Sequence, residues 1–195
     1  MTKTILLRIV LIGTLLFIGQ IQAALYRPTL KSTPSKTQEE NSLINSHDYQ
    51  KITATLEAKY GIPGKLLTAI ARVESGKSPW AVNARGRSHK FRSKEQALKF
   101  IQTLKKQGVK NINVGYMQIN LQSHERKFRK LEDVLTPYHN IAYAAKLLKQ
   151  LHKSYGSWEA AIRFYHSGSS VYNLPYQRKV FRAWGNACTS QSKAG

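Results

Sequence analysis

The sequence predicts a mainly α-helical domain over residues 46–185, with a groove and at most a short β-hairpin. Three observations indicate this fold class. Apolar residues recur at spacings of three and four over most of the region, which is the period of a helix face. Gly and Pro separate these periodic stretches, and only residues 76–93 lack a helical stripe. A chain of 195 residues accommodates one such domain with short appendages.

Two N-terminal segments are expected to precede the domain. Within residues 1–23, Lys3 and Arg8 come before an apolar run that closes on Ala23, a pattern typical of a secretory signal peptide. The run is too short to span a bilayer comfortably. We therefore expect a periplasmic or secreted protein with no stable membrane insertion once this segment is removed, and an uncleaved anchor is the alternative. Residues 24–45 are polar and punctuated by proline, which indicates a leader or linker.

Two helices are predicted at the start of the domain. The apolar face of the first consists of Tyr49, Ile52, Leu56 and Tyr60. Gly61 follows this face, and glycine is typical of the position just after a helix. Pro63 suits the first turn of the next helix, because proline lacks only an N–H that has no helical partner there. We expect that second helix to run from Pro63 to about Ser75.

The middle of the domain mixes irregular and helical sequence. Residues 76–93 predict a loop with a short hairpin. Ser93 and Gln96 have the spacing of a capping box, so a helix is expected to begin there and to end near Gly108. A compact segment of alternating apolar and polar residues follows Gly115.

Three helices are predicted between residues 140 and 184, after the break at Pro137. Their apolar stripes contain Ile141, Ala144, Ala145, Leu148 and Leu151 in the first, Trp158, Ala161, Ile162 and Tyr165 in the second, and Tyr176, Val180, Ala183 and Trp184 in the third. Beyond these stripes, we expect residues 186–195 to form a flexible tail.

The chain is strongly basic, with 31 Lys and Arg against 10 Asp and Glu and a formal charge of +21. Such a charge is typical of nucleic-acid binding, but a signal peptide argues against that partner. Outside the cytosol, the abundant polyanions are cell-wall polymers and membrane surfaces, and a solvated surface without a specific partner is the alternative. Cys188 is the single cysteine, and no metal-ligand spacing is present. We therefore expect neither a metal nor another cofactor.

Glu74 interrupts the apolar face of the second predicted helix. It follows Ile70 by four residues and Leu67 by seven, which places a carboxyl group on or beside the buried stripe. Burial of an unpaired carboxylate is unfavourable, and such a break in pattern often marks a functional site. A carboxyl group with apolar neighbours keeps its proton to higher pH and can act as a general acid. The alternatives are a helix-end role or an ion pair with Arg72 or Lys77.

Four segments along the chain form an ordered set: Glu74-Ser75, Gly115-Tyr116-Met117-Gln118-Ile119-Asn120, residues 140–148, and Phe164-Tyr165-His166-Ser167-Gly168. Together they resemble the catalytic domain of the soluble lytic transglycosylases in the lysozyme superfamily. The resemblance extends over about residues 60–184 and implies an α+β lysozyme-like fold that binds peptidoglycan glycan strands. The insert at about residues 84–114 resembles that of small transglycosylases that accompany secretion systems and pili, so such an assembly is a further expected partner.

The resemblance also implies a mechanism with one carboxyl group. Glu74 would protonate the bond between N-acetylmuramic acid and N-acetylglucosamine, and would then act as a base while the sugar C6 hydroxyl closes a 1,6-anhydro ring. Two alternatives remain open at this point, a lysozyme-type hydrolase and a non-catalytic basic module that binds the cell wall. The other acids, Asp48, Glu57, Glu95, Glu125, Glu132, Asp133 and Glu159, lie in amphipathic or charged stretches, which indicates surface positions or first-turn helix pairing.

The family motifs assign supporting roles to further residues. By resemblance, Ser75 lines the site, and the alternative is a helix-terminal hydroxyl that bonds to the backbone. Gly115 lets the backbone approach the sugar, and Gln118 supplies amide contacts with Met117 packed beneath them. For Met117 taken alone, core packing is the favoured interpretation. Tyr165 matches a tyrosine that contacts the acid, with a core aromatic as the alternative.

Three positions depart from the commoner family pattern. His166 stands where Asn is usual, Tyr116 replaces Leu, and Asn83 stands where some members use Ser to contact substrate. We expect His166 to be a hydrogen-bonding wall of the site rather than a base.

Overall fold

Helices and a small sheet make up the part of the chain that the structure describes, residues 48–166 and 170–192 of a computed structural model. All of it belongs to one compact unit, residues 36–195. The helices are α1 (Tyr49–Tyr60), α2 (Leu66–Ser75), α3 (Lys94–Lys106), α4 (Leu121–His124), α5 (Leu131–Val134), α6 (Pro137–Tyr155), α7 (Trp158–His166) and α8 (Ser170–Ser192), with a 3-10 turn at Glu125–Lys127. The strands are β1 (Ala81–Ala84), β2 (Arg87–Lys90), β3 (Ile112–Val114) and β4 (Ile119–Asn120). The predicted signal peptide and leader lie outside the described residues.

The mainly α-helical fold class is confirmed, but the sheet is larger than the single predicted hairpin. Its strand order is β2-β1-β3-β4, and each neighbouring pair is antiparallel. The hairpin expected within residues 76–93 is the β1–β2 pair. Strands β3 and β4 contain three and two residues, which is too short for an alternating pattern to reveal them in the sequence.

The hydrophobic core lies where α2, α6 and α8 meet their neighbours. Helix α8 packs against α2 and α7, while α6 packs against α1 and α7. Leu66, Leu67 and Ile70 on α2 are fully buried, as their period predicted. Trp184 on α8 also donates a hydrogen bond of 2.8 Å from its indole Nε1 to the carbonyl oxygen of Gly64, just before α2. These contacts hold α8 along α2 and at the approach to its N-terminus.

Helix α2 begins at Leu66, three residues later than the sequence predicted. Lys65 precedes it with a φ of 68°, a left-handed conformation that interrupts a helix. Glu57 on α1 caps this helix instead, because its carboxylate oxygens accept the backbone N–H groups of Lys65 at 2.9 Å and Leu67 at 2.8 Å. The surface position expected for Glu57 was therefore wrong, since this side chain is buried against the N-terminus of α2.

Helix α8 continues to Ser192, through most of the segment expected to be a tail. Gly185 lies inside the helix, where glycine is less favourable than alanine by only about 1 kcal/mol. No proline follows it to end the helix. Among the described residues, none of the helices combines the length and the apolar character that membrane crossing requires.

Candidate active site

Glu74 lies in the last turn of α2, between two cavities. The larger has a volume of about 420 Å³ and the smaller about 360 Å³. Glu74, Asn83 and His166 line both of them, so the two cavities adjoin at the carboxyl group. The Glu74 side chain is only 12% exposed. A partly buried carboxyl group at the middle of a groove can exchange protons with a ligand that spans both sides.

The larger cavity is lined mainly by neutral polar side chains. Asn120 donates from Nδ2 to the Oδ1 atoms of Asn111 at 2.7 Å and Asn113 at 3.0 Å. Its own Oδ1 accepts the backbone N–H of Ser123 at the start of α4. These amides present hydrogen-bonding groups without a formal charge.

His124 and Tyr143 lie beside the amide-lined end of the larger cavity. The Tyr143 hydroxyl lies 2.9 Å from Nδ1 of His124, and the Tyr143 ring packs against Phe128. Partial burial, together with the positive charge of Lys127, lowers the pKa of His124. The imidazole therefore extends the neutral character of this wall.

The smaller cavity is lined by Val73, Pro175, Tyr176 and Lys179, in addition to the three shared residues. Tyr176 is buried, and its ring stacks on the imidazole of His166 with centroids 4.4 Å apart and planes 8° apart. Burial and the nearby charge of Glu74 raise the pKa of Tyr176 far above its usual range. Among the described residues, no group meets ordinary hydrogen-bond geometry with the Tyr176 hydroxyl.

His166 is the nearest basic side chain to Glu74. Its Nδ1 lies 3.8 Å from Oε1 of Glu74, so the two form an ion pair whenever the imidazole is protonated. The distance is too long for a direct hydrogen bond. With Tyr176 stacked against it, His166 lines both cavities beside the carboxyl group.

Tyr165 lies close to Glu74 but is anchored elsewhere. Its hydroxyl donates a hydrogen bond of 2.8 Å to the carbonyl oxygen of Met117. Burial, followed by the charge of Glu74, raises the pKa of Tyr165 far above its usual range, so it stays protonated and keeps this bond. This hydrogen bond holds the segment after Gly115 against α7.

Gly115 accommodates a neighbouring side chain rather than open space for a ligand. Its φ is 80°, and a Cβ at this position would overlap the side-chain amide of Asn140. That amide accepts the N–H of Met117 at 2.8 Å and donates to the carbonyl oxygens of Val114 at 3.0 Å and Val134 at 2.8 Å. Asn140 is 1% exposed, so this network is closed to water.

Five of the predicted site residues line the cavities. They are Glu74, Asn83, Gln118, Tyr165 and His166. Asn83 lies on the central strand β1, opposite Asn113 of β3. Gln118 has a φ of 47° and donates from Nε2 to the carbonyl oxygens of Gly115 at 2.9 Å and Ala81 at 3.3 Å. Its amide is thus held in place by backbone groups at the rim of the sheet.

The other three predicted site residues do not line either cavity. Ser75 is buried, and its hydroxyl donates to the carbonyl oxygen of Ala71 and accepts the N–H of Ser78. Tyr116 is buried and stacks on Tyr49 with centroids 5.5 Å apart. Met117 is fully buried in the core. Their side chains pack behind the groove, where they support its wall.

Glu74 is the one carboxylate among the described residues that line the two cavities. Asp48 caps α1, Glu57 caps α2, and Glu125 pairs with Lys105. Over residues 48–166 and 170–192, no group of three or more His, Cys, Asp or Glu side chains has the arrangement of a metal site.

Sequence reasoning missed several residues of the groove. These are Asn111, Asn113, Asn120, Ser123, His124, Tyr176 and Lys179. Asn111 lies just before β3 and Asn113 within it, and this strand is too short for its pattern to be recognised in the sequence. Lys179 had no signal either, since it is one of many basic residues on an exposed helix face.

Comparison with known proteins agrees with this geometry. The family model described as the transglycosylase SLT domain matches residues 52–179. Protein IpgF of Shigella sonnei and Protein IpgF of Shigella flexneri are each 30% identical to this chain over 135 residues, which cover 65% of this chain and 74% of the relative. No solved structure matches. The chain therefore belongs to the transglycosylase SLT domain family, and it is a lytic transglycosylase with peptidoglycan as its substrate.

Proposed function

We propose that this chain cleaves the bond between N-acetylmuramic acid and N-acetylglucosamine with Glu74 alone as general acid and then base, leaving 1,6-anhydro ends. One observation carries the proposal: Glu74 is partly buried at the junction of the two cavities, and no other described lining residue is a carboxylate. Glycosidases that use two carboxyl groups place the second within about 10 Å of the first, across the bond to be cut. This groove offers no such partner.

The first step is the transfer of the Glu74 proton to the glycosidic oxygen. The bond from this oxygen to C1 then breaks, and the glucosaminyl part leaves as a neutral alcohol. The N-acetyl group of the muramyl residue stabilises the positive charge that develops at C1. Since that group belongs to the substrate, the protein needs no second carboxylate for the charge.

The second step restores the proton to Glu74. The Glu74 carboxylate accepts the proton of the C6 hydroxyl, and that oxygen attacks C1 to close the 1,6-anhydro ring. Atoms and charge balance without the consumption of water. His166, with Nδ1 3.8 Å from Oε1 of Glu74, lies beside the carboxyl group that takes part in both steps.

The walls of the larger cavity suit the hydroxyl and N-acetyl groups of a sugar. Asn83 and Gln118, with the asparagines of the larger cavity, present amide groups to hydroxyl and N-acetyl substituents. We assign sugar positioning to Asn83, Gln118 and His166. Tyr165 positions the segment that contains Gln118 through its bond to Met117. Ser75, Tyr116 and Met117 support this wall from behind.

We further propose that the protein acts in the periplasm or after secretion, where peptidoglycan is accessible. This location rests on the signal-peptide pattern of residues 1–23. A secretion or pilus assembly is the partner that the resemblance implies, since such an assembly needs a local opening in the wall.

Analysis of the digestion products by mass tests the reaction. Purified peptidoglycan treated with the protein should release muropeptides lighter by one water than those from a hydrolase. Glu74→Gln should release none, whereas Glu159→Gln, an exposed acid on α7 outside both cavities, should behave as the unmodified protein. Products with ordinary reducing ends would establish the hydrolase alternative instead.

A further inference from the structure

The two cavities beside Glu74 differ in charge. The chain contains 31 Lys and Arg residues, yet none of those within residues 48–166 and 170–192 lines the larger cavity. Lys179 lines the smaller one. The volumes of about 420 Å³ and 360 Å³ are similar, so size does not distinguish what each cavity holds. Charge does.

Lys179 is free to meet an anion from outside the protein. It is exposed on α8, and no described carboxylate lies within 4 Å of its ammonium group. Its neighbours in the cavity lining include Val73, Pro175 and the buried Tyr176, which carry no charge. An ammonium group beside low-polarity side chains attracts an opposite charge more strongly than one surrounded by water.

The two sugars of the substrate differ at one position in a matching way. N-acetylmuramic acid and N-acetylglucosamine share the same ring and N-acetyl group. The muramyl residue alone carries a lactyl ether on O3, which ends in a carboxylate or in a peptide stem with carboxylates. Of the two residues joined by the bond that is cut, one therefore carries an anionic substituent and the other does not.

We propose that Lys179 determines specificity by binding the anionic substituent of the muramyl residue, so that this residue occupies the smaller cavity and the glucosaminyl residue occupies the larger. The inference rests on the proposed function, since it assumes that the bond lies at Glu74 between the two cavities. It also fixes the direction in which a glycan strand lies in the groove.

Binding of defined strands to proteins that carry Glu74→Gln tests this proposal without dependence on cleavage. Three substrates are compared: strands with peptide stems, strands stripped of stems that expose the lactyl carboxylate, and stripped strands in which that carboxylate is a neutral methylamide. Adding Lys179→Gln should weaken binding of a charged strand by about 5-fold to 10-fold, as expected for one partly exposed ion pair. Binding of the methylamide should not change.

Two matched variants separate a specific contact from the general positive field. Lys179→Arg keeps the charge and should retain most of the affinity. Arg182→Gln removes a charge from the same helix, at an exposed position outside both cavities, and should weaken the binding of a charged strand far less than Lys179→Gln does. If Lys179→Gln weakens binding of the stripped strands, the lactyl carboxylate is the ligand. If it weakens binding of only the stem-bearing strands, the stem is the ligand.

Either of two results would overturn the proposal. One is an equal effect of Lys179→Gln and Arg182→Gln on every strand, which would mean that only net charge matters. The other is unchanged preference for charged strands after Lys179→Gln. Failure of the proposed reaction has a different signature, because it would appear as missing anhydro products from the unmodified protein while these affinities remain measurable.

Discussion

The side-chain amide of Asn140 occupies the space that any side chain at position 115 would need, so Gly115 and Asn140 fit together as a pair. The positive φ of Gly115 brings the backbone of residues 114–117 against that amide. Three hydrogen bonds then hold the amide in one orientation. The groove wall that contains Gln118 begins at this junction.

Replacement of Gly115 by alanine should destabilise the protein by about 2–4 kcal/mol, because overlap with a fixed neighbour adds to the strain of a positive φ. Gly86→Ala is the matched control, since Gly86 has a φ of 72° and open space around it. It should destabilise by only about 1 kcal/mol. Chemical denaturation measures the unfolding free energy of both variants. Equal decreases in that free energy would show that Asn140 does not restrict position 115.

Truncation of Asn140 to alanine should destabilise the protein by about 3 kcal/mol, because it leaves a buried N–H and two buried carbonyl groups without partners. Asn140→Asp keeps the shape and the acceptor but loses both donors. It should therefore also destabilise, and more strongly as the pH rises and the buried carboxyl group ionises. Unfolding free energies at pH 5 and pH 8 would reveal this trend, and full stability of both variants would contradict the network.

Glu74→Gln should keep the fold and reduce the rate of strand cleavage by about 1,000-fold or more, because an amide cannot donate a proton and then accept one. Turnover of purified peptidoglycan and thermal unfolding should be measured together. Glu159→Gln provides the control with an exposed acid. Cleavage by the Glu74→Gln variant at close to the unmodified rate would exclude the one-carboxyl mechanism.

Tyr165→Phe should lower turnover by about 10-fold to 100-fold and unfolding free energy by about 1 kcal/mol, since it removes the hydrogen bond to the Met117 carbonyl oxygen. The effect on kcat should exceed that on KM, because the segment with Gln118 loses its fixed position. Tyr155→Phe alters an exposed tyrosine outside both cavities and should be neutral. Unchanged kcat in Tyr165→Phe would limit this hydroxyl to a packing role.

Glu57→Ala should destabilise the protein by about 2 kcal/mol, because the N–H groups of Lys65 and Leu67 lose their acceptor. Burial raises the pKa of Glu57 above its ordinary value of 4.5, against the opposing effect of those hydrogen bonds. The folded state therefore binds the proton more tightly than the unfolded state. As a result, the stabilising contribution of Glu57 should decline as pH rises from about 4.5 through the raised pKa.

Glu57→Gln isolates this pH dependence. The variant has no titrating group at position 57. The unfolding free energy of the unmodified protein minus that of the variant should therefore decrease as the pH increases over that window. A series of denaturation curves from pH 4 to pH 7 measures the difference. An increase of this difference with pH would mean that the pKa of Glu57 is lowered in the folded state.

The sequence predicted the parts of this fold that depend on local pattern. The stripes of α1, α2, α6 and α7 were visible because each helix buries one face, and Glu74 stood out because it interrupted such a face. Glu57 did not stand out, since its burial depends on how α1 meets the N-terminus of α2. That meeting is tertiary, and the helix period does not encode it.

The groove was predicted only near its centre for the same reason. Lys179 and Tyr176 reach the site from α8, far along the chain from Glu74, and nothing in their spacing connects them to it. The partner of Gly115 was likewise hidden, because Asn140 comes from the start of a separate helix. The glycine was correctly singled out, while the reason for it required the folded chain.

The hydrogen bond from Trp184 to Gly64 limits where the chain can be truncated or fused to another protein. The family match ends at residue 179, yet the indole that secures α8 to the approach of α2 lies beyond that boundary. A catalytic unit that ends at residue 179 would contain every described side chain that lines the groove. It would lack the Trp184 hydrogen bond that holds α8 at the approach to α2. The smallest excised form of this enzyme that keeps this hydrogen bond therefore extends beyond residue 179, where the family match ends.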